Sequence, residues 1–152
     1  MRINWRKILP DGYNAMKALE NIVEKSSLEP KLKELLKIRA SQINGCAYCL
    51  DMHTKDARSI GESEQRIYVL AAWREAPFYS PRERAALAWC ESLTLLSQAG
   101  APADVYVELE HLFNPGEIVE LTLAIVTINS WNRLSVGFGT DVGNYTSHKK
   151  AV

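Results

Sequence analysis

The sequence predicts an all-α protein, a helical bundle of six or seven helices in a single domain spanning residues 1–152. Three observations lead to this fold class. Apolar residues recur at three- and four-residue spacing along most of the chain, which is the period of an amphipathic helix. Helix start signals, either a proline or a capping box, precede several of these segments. No segment shows the strict polar–apolar alternation that predicts a β-hairpin.

The first half of the chain predicts four helices. An apolar stripe from Ala15 to Val23 marks the first. Pro30 suits the first turn of the second, and Asn44-Gly45 ends it because glycine accepts the left-handed conformation found after helices. The third helix is predicted from Cys46 to Gly61, and Ser63 caps a fourth that runs to about Glu75. The second and third helices should form an antiparallel hairpin that carries the Cys-x-x-Cys sequence.

The second half predicts three more helices. Ser80-Pro81-Arg82-Glu83 is a capping box that opens a helix through Leu96, and Pro102 starts a short helix to Phe113. Asn114-Pro115-Gly116-Glu117 repeats the start signal for a long helix to Gly137. Residues 118–128 are rich enough in Ile and Val for a strand, but the length of the pattern and its cap favour a helix. The polar tail from Thr140 is expected to be partly disordered.

Charge and cysteine content restrict the functional class. The 18 basic and 18 acidic residues cancel, and no basic block exceeds Lys149-Lys150, so nucleic acid is not an expected partner. The apolar stretch from Ile118 to Ile128 is too short to span a bilayer, and Met1–Lys7 lacks the apolar run of a signal peptide. We therefore expect a cytoplasmic protein without a membrane partner. Three cysteines argue against a disulfide framework, so a close pair is more suited to chemistry.

The segment from Cys46 to His53 carries the chemical signal. At about 100° per residue, Cys46, Cys49 and His53 share one face of a helix. A helix N-terminus, a neighbouring His and the Cys-x-x-Cys spacing each lower a thiol pKa. Peroxide reduction needs a thiolate, a base and a second thiol, and these three residues supply that set. His53 is the candidate base because an imidazole titrates near neutral pH.

Glu34 is a candidate second base. In a hairpin folded at Gly45, Glu34 is level with Asp56, about 4.5 Å of helical rise beyond His53. Glu34, His53 and Cys49 would then form a proton relay. The alternative is an exposed pair between Glu34 and Lys37, worth only tenths of a kcal/mol.

Other interpretations of these residues remain open. Cys46, Cys49 and His53 could bind zinc, although a structural site needs a fourth ligand, or the thiols could be inert. Cys90 lies on an apolar helix and is read as a core residue. Trp131-Asn132-Arg133 could line a pocket, form an oligomer contact or simply pack.

Residues 39–53, Arg-Ala-Ser-Gln-Ile-Asn-Gly-Cys-Ala-Tyr-Cys-Leu-Asp-Met-His, resemble the AhpD-like alkylhydroperoxidase group of the carboxymuconolactone decarboxylase superfamily. The core Asn-Gly-Cys-x-x-Cys-x-x-x-His is specific for that group. The resemblance continues through residues 81–89 and 128–133 and covers most of the chain.

The resemblance implies a role for each residue of the site. Cys49 attacks the peroxide and Cys46 resolves the product, while His53 matches the final histidine of the motif. Glu34 matches a glutamate twelve residues before the first cysteine. AhpD carries a further histidine just before its second cysteine, where this chain has Tyr48. A phenol, with a pKa near 10, is a poorer proton acceptor at neutral pH.

The resemblance also implies an activity. We expect a thiol peroxidase that reduces hydrogen peroxide or organic hydroperoxides through a Cys46–Cys49 disulfide, with no metal or organic cofactor. The expected partners are a thioredoxin-like or lipoyl-bearing reductant and further copies of the chain, as a trimer or hexamer. The alternatives are a decarboxylase-type lyase acting on a small cyclic acid, which needs no Cys-x-x-Cys, and a redox-sensing oligomeric module.

Overall fold

The computed structural model describes residues 1–149, apart from the side chain of Ala99. All regular secondary structure in this part of the chain is helical, which confirms the predicted all-α class. The helices are α1 (Trp5–Ile8), α2 (Pro10–Glu24), α3 (Pro30–Ile43), α4 (Ala47–Ser59), α5 (Glu64–Tyr68), α6 (Pro81–Thr94), α7 (Leu96–Ala99), α8 (Ala103–Leu112) and α9 (Pro115–Phe138), with a 3-10 turn at Leu70–Ala72. The last three residues of the predicted domain, including Lys150, lie outside the described residues.

Two of these helices, α1 and α7, were not among the six or seven that the sequence predicts. The helices α1 and α7 have four residues each, too few to show a hydrophobic period. The predicted helix from Ser63 to Glu75 is also shorter, because α5 gives way to the 3-10 turn. Ile67, Leu70 and Trp73 are all buried at a spacing of three, which is the period of a 3-10 helix.

Both predicted capping boxes are confirmed. The Ser80 hydroxyl accepts from the Glu83 N–H at 3.2 Å, and the Glu83 carboxylate accepts from the Ser80 N–H at 2.7 Å. Asn114 and Glu117 repeat the exchange at 3.0 and 2.8 Å at the start of α9. The disputed residues 118–128 lie within α9, so the helix prediction is confirmed there too. No helix within residues 1–149 combines the length and apolar character that crossing a membrane requires.

Helix α3 lies at the centre of the molecule and packs against α4, α6 and α9. Its apolar residues Leu35, Leu36 and Ile38 are fully buried. The fully buried Cys90 of α6 belongs to the same core, as predicted, and its thiol donates to the Leu36 carbonyl at 3.5 Å. Because α3 is surrounded by neighbours, its polar side chains are enclosed as well.

The chain reverses between α3 and α4 so that the two helices run in opposite directions. Lys31 reaches the Gly61 carbonyl at 2.8 Å, while Glu34 reaches His53 further along. Gly45 takes a φ of 63° in the turn, which a side chain would strain. The Asn44 amide donates to Asn132 of α9 at 2.9 Å. This contact fixes the start of α4 against α9.

Residues 141–149, here called the C-terminal strap, contain no helix and pack along α4. The Tyr145 and Ser147 hydroxyls donate to the buried Asp56 carboxylate at 2.8 and 2.6 Å. Lys55 donates to the Tyr145 carbonyl at 2.9 Å. These contacts favour an ordered segment because they satisfy a carboxylate that would otherwise be buried without partners, while the partial disorder expected from Thr140 onward stays a prediction.

Candidate active site

The thiol pair lies at the beginning of α4. Cys46 is the N-cap residue, and its Sγ atom accepts from the Cys49 backbone N–H at 3.4 Å. The two Sγ atoms lie 2.6 Å apart, and both side chains are buried and free. A disulfide bond is about 2.05 Å long, so the pair can close with little backbone movement.

The two thiols differ in acidity. The hydrogen bond from Cys49 lowers the pKa of Cys46 to about 6, and bonds from Asn132 and Ser135 of α9 act in the same direction. Donating that bond, together with burial, raises the pKa of Cys49. Of the two thiols, Cys46 is therefore the more acidic and Cys49 holds its proton more tightly.

A buried carboxylate–imidazole pair lies one turn further along α4. The His53 Nδ1 atom is 2.9 Å from Glu34 Oε2, and Glu34 is fully buried. Burial alone would raise the pKa of Glu34, but the His53 hydrogen bond and the charges of Lys37 and Lys149 lower it to about 2. An ionised Glu34 accepts the Nδ1 proton and leaves Nε2 as the basic nitrogen. Within residues 1–149, the His53 ring has no other hydrogen-bond partner.

Two lysines compensate the charge of Glu34. Lys149 of the C-terminal strap donates to Glu34 at 2.7 Å, and the Lys37 Nζ atom lies 4.0 Å from the same carboxylate. Lys37 also bonds to Glu20 and Glu24 of α2 at 2.7 Å each. Burial would lower the pKa of Lys37, but these three carboxylates raise it. The exposed Glu34–Lys37 pair considered from sequence is therefore a buried network.

A cavity of about 270 Å³ opens beside this network. Cys49, His53 and Tyr48 all line it, together with aromatic residues from α2 and α9. Cys46 is not among the described residues that line it. Of the two thiols, Cys49 is thus the one placed to meet a ligand.

Cys46, Cys49 and His53, which were considered as alternative zinc ligands, do not form a cluster of metal-ligating atoms within the described residues. Within the described residues, three potential ligand side chains lie within 4.8 Å of one another only at Glu34, His53 and Asp56, and this group includes neither cysteine. Lys149 already bonds to Glu34, and the C-terminal strap donates two hydroxyls to Asp56. Together with the His53 contact, these bonds engage both oxygens of Glu34 and the Oδ1 atom of Asp56.

Sequence reasoning placed Glu34, Cys46, Tyr48, Cys49 and His53 at the site, and the structure brings all five to one region. It missed Asn129 and Ser135, which form a buried polar row with Asn132 on α9. Their spacing of three is a signal that could have revealed a polar helix face.

Sequence reasoning also missed Lys149, which no periodicity marks. The sequence did not decide whether Trp131 lines a pocket, forms an oligomer contact or packs. In the structure its indole lines the cavity and donates to Glu20 at 2.9 Å.

Together the fold and the site define an AhpD-like helical protein, with a thiol pair at a helix start beside a buried glutamate–histidine pair. The chain belongs to the carboxymuconolactone decarboxylase family, whose sequence profile matches residues 10–92.

Two relatives resemble nearly the whole chain. The uncharacterized protein YdfG of Bacillus subtilis is 46% identical over 138 residues, which cover 91% of this chain and 94% of YdfG. A crystal structure from Agrobacterium tumefaciens, of a protein of unknown function named as a candidate antioxidant defence protein AhpD, is 46% identical with a TM-score of 0.91. That match covers 95% of this chain and 99% of the other.

A third structure shows how widely the fold is used. The debrominase Bmp8 is 21% identical with a TM-score of 0.76, over 89% of this chain and 73% of its own. At this identity the likeness concerns the fold alone.

Proposed function

We propose that the protein is a thiol peroxidase that reduces hydroperoxides through a Cys46–Cys49 disulfide. The observation that carries the proposal is the pair of Sγ atoms 2.6 Å apart, with Cys49 on the wall of a cavity that His53 also lines. A nucleophile and a base therefore face one space large enough for an organic peroxide, and the resolving thiol of Cys46 contacts the nucleophile from outside that space. Family membership and the resemblance to AhpD support the same chemistry.

The first step is attack by the Cys49 thiolate on the outer oxygen of the hydroperoxide. An S–O bond forms as the O–O bond breaks, so the sulfur is oxidised by two electrons to a sulfenic acid and the peroxide is reduced to an alcohol. The Cys49 proton passes to the Cys46 thiolate, directly or through His53 Nε2, and the leaving alkoxide takes up one proton from solvent. Glu34 holds the imidazole in the tautomer that this transfer needs.

The second step closes the disulfide. The Cys46 sulfur attacks the Cys49 sulfenic acid, an S–S bond forms, and hydroxide leaves as water after taking up the Cys46 proton. A dithiol reductant then attacks the disulfide and returns both cysteines to the thiol state while it becomes oxidised itself. Each cycle therefore consumes one hydroperoxide and one dithiol.

Acidity and access favour different cysteines as the nucleophile. Cys46 is the more acidic thiol, with a pKa lowered to about 6, whereas Cys49 lines the cavity. We assign the attack to Cys49 because a sulfur must contact the peroxide oxygen to react, while a proton can move across the 2.6 Å contact between the two sulfurs. The Cys46 thiolate then serves as a local base for Cys49.

The test is peroxide consumption with dithiothreitol as electron donor, measured for wild type, Cys49→Ser and Cys46→Ser. We expect Cys49→Ser to abolish turnover and Cys46→Ser to accumulate a sulfenic acid that dimedone traps at Cys49. Cys90→Ala is the matched control, since it removes a buried thiol distant in sequence from the pair. Undiminished turnover by Cys49→Ser would overturn the proposal, and a dimedone adduct at Cys46 of Cys49→Ser would reverse the two roles.

We also propose, from the resemblance, a thioredoxin-like or lipoyl-bearing reductant and assembly into a trimer or hexamer. An apolar groove between α1, α2 and α9 supports self-association, since Ile8 and Leu9 are 69% and 61% exposed there. Light scattering on the purified protein measures the subunit number directly, and a monomer at micromolar concentration would contradict this part.

A further inference from the structure

The cavity beside Cys49 is larger than hydrogen peroxide requires. Its volume of about 270 Å³ compares with roughly 30 Å³ for one water molecule and about 150 Å³ for a protein cavity that binds benzene. Tyr13, Tyr48, Met52 and Trp131 supply aromatic and thioether walls. These side chains suit a ligand with an apolar body about the size of a substituted ring.

The carboxylates that line the cavity already have partners. Glu20 accepts from Lys37 and from the Trp131 indole, each within 2.9 Å. Glu24 accepts from Lys37 and Lys149. Asp56 accepts two hydroxyls from the C-terminal strap. None of these groups needs a ligand to complete its hydrogen bonding.

Two cations that line the cavity beside Tyr13 have no such partners. Arg6 and Lys17 flank the Tyr13 ring, at 5.3 and 6.0 Å from its centroid. Within residues 1–149 neither side chain forms an ion pair, and the Arg6 Nε atom is shielded from solvent without an acceptor. A shielded N–H group without an acceptor is costly, and the guanidinium fork matches a carboxylate in two-point geometry.

From this arrangement we propose that the cavity takes an organic hydroperoxide that carries a carboxylate. Arg6 and Lys17 hold the carboxylate, the aromatic walls hold the apolar body, and the peroxide end lies towards Cys49. The proposal rests on the proposed peroxidase function and adds its substrate class. It assigns Arg6 and Lys17 as the residues that determine specificity.

The kinetic test compares cumene hydroperoxide with its para-carboxylate, which differ by one charged group. We expect wild type to show a kcat/KM about tenfold higher for the carboxylate, the effect of one charge-assisted hydrogen bond. Arg6→Gln and Lys17→Gln should each reduce this ratio, and Arg6→Lys should reduce it less than Arg6→Gln. Lys7→Gln is the matched control, because Lys7 is exposed on the same helix and is not among the lining residues. Equal kcat/KM values for the two substrates, or a ratio unchanged in Arg6→Gln and Lys17→Gln, would overturn the proposal.

A binding test separates the substrate class from the peroxidase function. 4-Isopropylbenzoate has the carboxylate and the apolar body but no peroxide, and calorimetry measures its binding without turnover. We expect binding by wild type and Lys7→Gln that is weakened about tenfold in Arg6→Gln and Lys17→Gln. Such binding without peroxide turnover would overturn the peroxidase function while keeping the carboxylate site. Absent binding, or binding equal in all variants, would overturn the carboxylate site. Lys17 is exposed, so its variant keeps the test valid should Arg6→Gln perturb α1.

Discussion

Replacement of Glu34 by Gln should destabilise the protein in a pH-dependent manner. A tenfold change in proton affinity corresponds to 1.36 kcal/mol. Lowering the pKa of this fully buried carboxyl from 4.5 to about 2 therefore corresponds to roughly 3 kcal/mol of folding free energy at neutral pH. Because the pKa is lower in the folded state, this stabilisation is complete above about pH 5 and is lost as the pH falls towards 2.

Urea unfolding followed by circular dichroism at pH 7, 5.5, 4.5 and 3.5 measures this contribution. The protein concentration must be held fixed, since any assembly contributes to apparent stability. We expect a difference of about 3 kcal/mol between wild type and Glu34→Gln at pH 7, decreasing steadily below pH 4.5. Glu110→Gln, an exposed change on α8, should stay within about 0.5 kcal/mol of wild type. A Glu34→Gln difference that stays constant from pH 7 to pH 3.5 would refute the electrostatic reasoning.

Three further outcomes test the network around the site. Lys149→Gln removes a cation 2.7 Å from Glu34, so it should raise the pKa of Glu34 and cost about 1–3 kcal/mol in urea unfolding, with Lys149→Arg closer to wild type. Burial raises the pKa of Cys90 to about 12, so N-ethylmaleimide at pH 7.5 should label it only after unfolding, as peptide mass spectrometry can verify. Asn132→Ala breaks bonds to Ser41 and Asn44 and should cost about 1–3 kcal/mol; thermal melts within 1 °C of wild type would contradict this.

Local signals determined where most helices begin. The capping boxes at Ser80 and Asn114 and the glycine after Asn44 act within a few residues, so their consequences could be predicted without knowledge of the fold. The 3-10 turn at Leu70–Ala72 could not be predicted in this way. It arises because Leu70 and Trp73 both pack into a core that distant helices form.

The residues of the thiol site also fall into those that local sequence predicts and those that depend on tertiary packing. Cys46, Cys49 and His53 lie within eight residues of one helix, so helical geometry alone places them on one face. Glu34 could be aligned with Asp56 because one short turn connects their helices. Asn132, Ser135 and Lys149 lie more than 75 positions away along the chain, and although the spacing of Asn132 and Ser135 indicates a polar helix face, local sequence does not show what that face contacts.

The sequence by itself determined the all-α class, the starts of the helices at Pro30, Pro81 and Pro115 and the thiol–histidine face, because these depend on interactions within one or two helical turns. Only the tertiary structure decided which cysteine lines the cavity, how the charge of Glu34 is compensated and which cations are left without partners. Those properties depend on burial and on distances between residues that are far apart in the chain. The packing of α2, α9 and the C-terminal strap around α3 and α4 determines both the burial of these residues and the distances between them.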